Sequence, residues 1–245
     1  MKLLACDIGN SFTKFISFDG DKIKCKYSLS NSEIDSLRIE RFEFDSVAIS
    51  SVVPEITKVL SNFLIKKNIT PFIITKNAKL NFTIDYDTPE TLGIDRICGT
   101  AGAISLIESS VISFNRKILF ADLGTATTIN FIEENILKGG IIAPGMRTML
   151  EALNNKTAQL PLVNLGDYSG IIGKSTQSAI TSGIINSSTG LLEKVYHSVY
   201  SDAEKQPIIL TGGNAEFILE YLNIPYLFVE NLVPTGIKKI AELNQ

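Results

Sequence analysis

Two stretches set the fold, LLACDIGNSFTKFISF at residues 3–18 and ILFADLGTATTINFIE at residues 118–133. Laid over one another at a constant offset of 115, they match Asp7 with Asp122, Gly9 with Gly124 and Thr13 with Thr128. Each is a buried-type apolar run, an acid, a glycine turn and a second β-rich run. A tight turn follows, FDGDK at 18–22 in the first copy and EEN at 133–135 in the second, and then another apolar segment. Both halves are therefore expected to open on a β-hairpin or short meander, and a fold that repeats itself once is the simplest account of the echo.

Outward from these openings the halves continue alike. The first carries β-like runs at SVAISSVV (46–53) and PFIIT (71–75), with the helical pattern PEITKVLSNFLIKKN (54–68) between them. It ends on an apolar-periodic helix from about Ile94 to Ile107. In the second, GMRTMLEALNNKTAQL (145–160) and STQSAITSGIINSSTGLLEKVYHSVYSDAE (175–204) read as helices, PIILTGG (207–213) as a strand and PTGIKKIAELNQ (234–245) as a closing helix. This order predicts an α/β protein of two related domains, 1–113 and 114–245, with a ligand cleft between them.

Bulk properties narrow the function. The 245 residues are 44% hydrophobic and 20% charged, with a net charge of −3. No charge run recommends nucleic acid or an anionic membrane as a partner. Three cysteines at wide spacing, with no CxxC and a single histidine, argue against a disulfide framework or zinc site and fit a reducing cytoplasm. The opening MKLLACDIGN is interrupted by Asp7 too early for a signal-peptide core, and no window reaches the length of a membrane helix.

The glycine turns carry the chemistry. Glycine lets the chain turn sharply and exposes N–H groups to phosphate oxygens. Asn10, Ser11 and Thr13 add donors, Lys14 adds a point charge, and Asp7 suits a Mg²⁺ ion or its water shell. DLGTATT (122–128) is a second hydroxyl-rich loop facing the first, where the same logic suggests a divalent ion at Asp122. TGGN (211–214) is a glycine loop open enough for an adenine or ribose to approach. In YDTPETLGIDRICGTAGA (86–103), Asp95 and Arg96 start an otherwise small and apolar helix. Aspartate suits the positive helix end and arginine opposes it, so a ligand is implied there. Arg96 could grip a substrate carboxylate, and Asp95 could take the proton of an attacking hydroxyl.

Two features are set aside. GKST (173–176) resembles the tail of a P-loop, but the position five before Gly173 is Tyr168 and no β-run leads into it. His197, within KVYHSVY, reads as a packing or surface residue. Proton transfer is left to carboxylates.

The motifs DIGNSFTK (7–14), SSVVP (50–54), PETLGIDR (89–96), DLGTATT, GGIIAPG (139–145) followed by LPL (160–162), GKSTQSAITSG (173–183) and TGG, in this order, resemble the type III pantothenate kinases over residues 7 to about 236. The resemblance implies two ribonuclease-H-like domains of the actin-like ATPase group. It further implies a homodimer that phosphorylates pantothenate with ATP, using Mg²⁺ and potassium or ammonium. By motif position, Asp7, Ile8, Gly9, Asn10, Ser11, Phe12, Thr13 and Lys14 resemble the ATP phosphate loop, with Thr125 a further ATP contact. Tyr86, Gly93, Ile94, Asp95, Arg96 and Thr176 resemble pantothenate contacts. Asp95 resembles the catalytic base, and Asp122 the monovalent-cation ligand rather than the divalent site that residue chemistry alone suggests. Ser11 stands where threonine is usual and keeps the hydroxyl. A kinase of the same fold acting on another hydroxylated substrate, or a non-catalytic regulatory relative, is the alternative reading.

Overall fold

The computed structural model describes residues 2–34, 42–109, 116–201 and 206–245. In chain order these form β1 (Lys2–Ile8), β2 (Phe12–Asp19), β3 (Lys22–Ser30), β4 (Ser46–Ser51), α1 (Pro54–Lys66), β5 (Phe72–Ile73), β6 (Thr83–Ile84), α2 (Ile94–Glu108), β7 (Lys117–Leu123), β8 (Ala126–Glu133), β9 (Ile136–Pro144), α3 (Met146–Lys156), α4 (Thr176–Val199), β10 (Ile208–Thr211), β11 (Tyr226–Phe228) and α5 (Leu232–Leu243). They divide into two units. The first comprises Met1–Ser113, Glu134–Lys138 and Asn231–Gln245, and the second Phe114–Glu133 and Gly139–Glu230. The expected boundary at 113 and the expected helix end at 202–204 lie outside the described residues. The closing helix, assigned by chain order to the second half, groups with the first unit instead, because its apolar face packs on α2.

In the first unit the sheet runs β3-β2-β1-β4-β5. β1, β2 and β3 form the expected antiparallel meander, turned between β2 and β3 by Gly20 at φ +59°. β4 joins β1 in parallel, and α1 crosses over to β5. Side chains alternate across the strands. Leu4, Cys6, Ile8, Val47 and Ile49 face Leu60 and Leu64 of α1. The alternate residues Leu3, Ala5, Asp7, Ala48 and Ser50 take the other face, and α2 and α5 lie against β1 and β4.

The helices α2 and α5 cross at glycine. A Cβ on Gly102 would strike the carbonyl oxygen of Leu232, and one on Gly236 that of Cys98. The two backbones are in contact at that crossing. Helix α2 is buried continuously from Arg96 to Ile104, as its small and apolar composition requires.

The meander recurs as β7, β8 and β9, with a two-residue turn at Glu134 and Asn135, both at positive φ, that groups with the first unit. The sheet continues in the order β11-β10-β7-β8-β9, and the first residues of β9 pair with β6. Leu119, Ala121 and Leu123 pack with Met146 and Leu150 of α3, Ile180, Ile184 and Leu192 of α4, and Ile208 and Leu210 of β10. Helix α4 begins at a capping box in which the Ser175 and Ser178 side chains each accept the other's backbone N–H.

Strand register revises the gapless echo. In the first hairpin Ile8 opposes Thr13 and Asp7 opposes Lys14. In the second, Leu123 opposes Thr127 and Asp122 opposes Thr128. The second turn is one residue shorter, so Thr13 corresponds in space to Thr127, and Lys14 to Thr128. A charge stands opposite the acid in one unit and a hydroxyl in the other.

Candidate active site

Three segments carry most of the expected site residues: the β1–β2 turn and the start of α2 in the first unit, and the β7–β8 turn in the second. In the β1–β2 turn, Gly9 N–H donates to Phe12 O at 3.0 Å. Asn10, Ser11 and Phe12 are exposed, Asp7 and Lys14 are partly buried across from each other, and Ile8 is buried. Thr13 is fully buried, and its hydroxyl donates to Asn31 Oδ1 at 2.9 Å. That hydroxyl shapes the loop. Asn31, just past β3, belongs to none of the sequence motifs. Its Nδ2 donates to Gly9 O at 2.7 Å and Asn10 O at 3.0 Å, and its backbone N–H donates to Ser11 O at 3.0 Å.

The β7–β8 turn is gripped comparably. Gly124 N–H donates to Ala126 O, and Asn214 Nδ2 donates to Gly124 O, both at 3.0 Å. Thr125, exposed at the tip, accepts at its carbonyl from Gly145 N–H at 3.0 Å and from the Thr148 hydroxyl at 2.6 Å. Gly212 of the TGGN loop sits at φ +97°, and a Cβ there would come to 2.5 Å from Asp122 Oδ1. Glycine is required here because the TGGN backbone approaches Asp122 and Leu123 too closely for a side chain. Among the described residues no cluster of three His, Cys, Asp or Glu could hold a metal by itself. A cation using Asp7 or Asp122 must take further ligands from phosphate, water, hydroxyl or carbonyl oxygen, as Mg²⁺ with nucleotides commonly does.

At the start of α2, Gly93 is the N-cap at φ −63°, ψ 139°. The Asp95 carboxylate folds back over it, occupying the place a Gly93 Cβ would need. Arg96 is 4% exposed, with its guanidinium carbon 5.5 Å from the Tyr86 ring centroid and Nη1 donating to the Tyr86 hydroxyl at 3.5 Å. A cation this buried against an aromatic face is held by its neighbours rather than by water. Tyr86, Gly93, Ile94, Asp95 and Arg96 are thus brought together. Thr176 is the exposed first residue of α4, in the second unit.

Cys98 lies within the buried stretch of α2, one turn past Asp95. Burial pushes its thiol well above the ordinary range, and the carboxylates of Asp7 and Asp95 push the same way. The first unit thus holds both the β1–β2 turn and the Asp95–Arg96 start of α2.

Two meander-led α/β units of this kind make up the actin-like fold. A glucokinase of the ROK family from Streptomyces griseus, solved with glucose and AMPPNP, shares this fold at TM-score 0.53 and 12% identity, over 100% of this chain and 99% of that one. A conserved Baf-family protein from Campylobacter jejuni, described as a transcriptional activator, superimposes at TM-score 0.64 and 23% identity, over 98% and 97% of the two chains. Residues 3–198 match the family model of type III pantothenate kinase. A type III pantothenate kinase of Sulfurihydrogenibium sp. (strain YO3AOP1) is 33% identical over 96% of this chain and 97% of its own. The chain belongs to the type III pantothenate kinase family.

Proposed function

We infer that this chain transfers the γ-phosphoryl group of ATP to pantothenate, giving 4′-phosphopantothenate and ADP, the first step of coenzyme A biosynthesis. The observation that carries this reading is the Asp95–Arg96 start of α2, an acid followed by a cation buried against Tyr86, in a chain of this family. Arg96, backed by Tyr86, pairs with the pantothenate carboxylate, and the Gly93–Ile94 backbone and Thr176 complete the substrate contacts. Asp95 accepts the proton of the attacking hydroxyl as the new O–P bond forms and the bond from the γ-phosphorus to the β–γ bridging oxygen breaks. The turn within Asp7 to Lys14 receives the phosphates on its backbone N–H groups, with Lys14 as a point charge and Thr125 as a second ATP contact. A divalent cation, when bound with ATP, neutralises charge between the phosphates. Asp122 holds the monovalent cation, potassium or ammonium.

The chain acts as a homodimer in this reading, consistent with the exposed Ile142, Leu162, Ile171 and Ile172 of the second unit, each more than 60% accessible. Its place is the cytoplasm, in keeping with three free cysteines. No helix among the described residues is long and apolar enough to cross a membrane. The test is Asp95→Asn: phosphoryl transfer is abolished while ATP binding, followed by calorimetry, is retained. Turnover at the wild-type rate would remove Asp95 as the base.

A further inference from the structure

We propose that each Asp-x-Gly turn is locked in its phosphate-receiving shape by an asparagine from outside the repeat, Asn31 in the first unit and Asn214 in the second, and that both are positioning residues for ATP. The proposal rests on the assignment of these turns to ATP.

A loop that offers N–H groups to phosphate must direct its carbonyl oxygens elsewhere, since a carbonyl turned inward would repel the anion. In a planar trans peptide, the C=O of one residue and the N–H of the next point in opposite directions. The carboxamide of Asn31 captures the carbonyls of Gly9 and Asn10 at 2.7 and 3.0 Å. The N–H groups of Asn10 and Ser11 are thereby turned to the far side. The amide cannot flip, because Gly9 O and Asn10 O only accept and a flip would turn Oδ1 onto both; in this orientation Oδ1 accepts the Thr13 hydroxyl at 2.9 Å. Its backbone N–H holds Ser11 O at 3.0 Å, so one residue fixes three successive loop carbonyls.

Asn214 does the corresponding work in the other unit. Its Nδ2 holds the carbonyl of Gly124, the residue matched to Gly9, at 3.0 Å, and its backbone N–H holds Leu123 O at 3.0 Å. The N–H of Thr125 is turned away from it. Asn31 follows the third meander strand, whereas Asn214 follows β10. The two clamps occupy non-equivalent positions in the fold and meet the same requirement of the same turn.

The experiment is steady-state kinetics of the full chain, with ATP and pantothenate varied separately, alongside calorimetric ATP binding and thermal unfolding. Asn31→Ala and Asn31→Asp each raise KM for ATP by about tenfold or more, as loss of two hydrogen bonds that orient a charged ligand's donors requires. KM for pantothenate stays within about twofold in both, since no pantothenate contact is touched. Asn214→Ala moves KM for ATP in the same direction. Should Asn31→Ala fail to fold, Thr13→Val, which frees the amide without removing it, gives a smaller rise confined to ATP. Asp7→Asn tests the assignment itself. If Asp7→Asn weakens ATP binding while folded Asn31 and Asn214 variants keep the wild-type KM for ATP, the turns bind ATP and the clamp is wrong. If the Asn31 variants raise both KM values equally, the role is structural and the proposal is overturned. If Asp7→Asn leaves ATP binding unchanged, the assignment and the clamp fall together.

Discussion

Arg96 is the residue whose setting in the chain discloses most about its role. A charge that opposes the helix dipole at the head of an apolar helix calls for a partner, and the fold supplies Tyr86 ten residues upstream. Arg96→Lys keeps the charge but loses the flat guanidinium, and is expected to raise KM for pantothenate by about tenfold while leaving KM for ATP unchanged. A rise shared by both substrates would contradict the assignment. Asn31 was not legible in the same way. An asparagine after a strand reads as an ordinary turn residue, and its partners Gly9 and Asn10 lie more than twenty positions away in the chain. Cysteine accessibility offers a second check at this scale. Cys6 and Cys98 are buried, with thiols pushed up by that burial, while Cys25 is exposed. A thiol reagent should titrate one cysteine in the native protein and all three after denaturation; rapid reaction of two or three in the native state would refute this packing.

The elements were legible where local chemistry determines them. Gly20 and the pair Glu134–Asn135 turn the two meanders within two residues each, and the apolar runs beside them form the strands. What local pattern does not contain is register. The gapless match placed Thr13 on Thr128, yet the shorter second turn sets Thr128 opposite Asp122, where the first unit has Lys14. The α2–α5 crossing was equally hidden, since a glycine inside a helix identifies no partner. Gly236→Ala forces a methyl group against the Cys98 carbonyl, and overpacking of this kind costs about 1–3 kcal/mol. We expect a lower unfolding midpoint together with lower turnover, because the helix displaced is the one that carries Asp95 and Arg96. An unchanged midpoint would show that the helices do not meet as described.

At the scale of the whole molecule, chain order misplaced one element. The closing helix follows the second unit in sequence, but Leu232, Val233, Ile237 and Ile240 bury against the first, and Lys239 reaches Glu108 of α2 at 2.8 Å. A chain ending at Glu230 leaves the apolar face of α2 exposed, and is expected to lose cooperative unfolding of the first unit; retained cooperativity would count against that packing. The repeat of the two meanders was readable from residues alone, whereas the substrate came into view through motif order and family. In potassium, the full-length protein should form ADP from ATP in strict dependence on pantothenate, and replacement by sodium should sharply reduce the rate. ADP formation indifferent to pantothenate, or equally rapid with other hydroxylated substrates, would contradict its function as a pantothenate kinase.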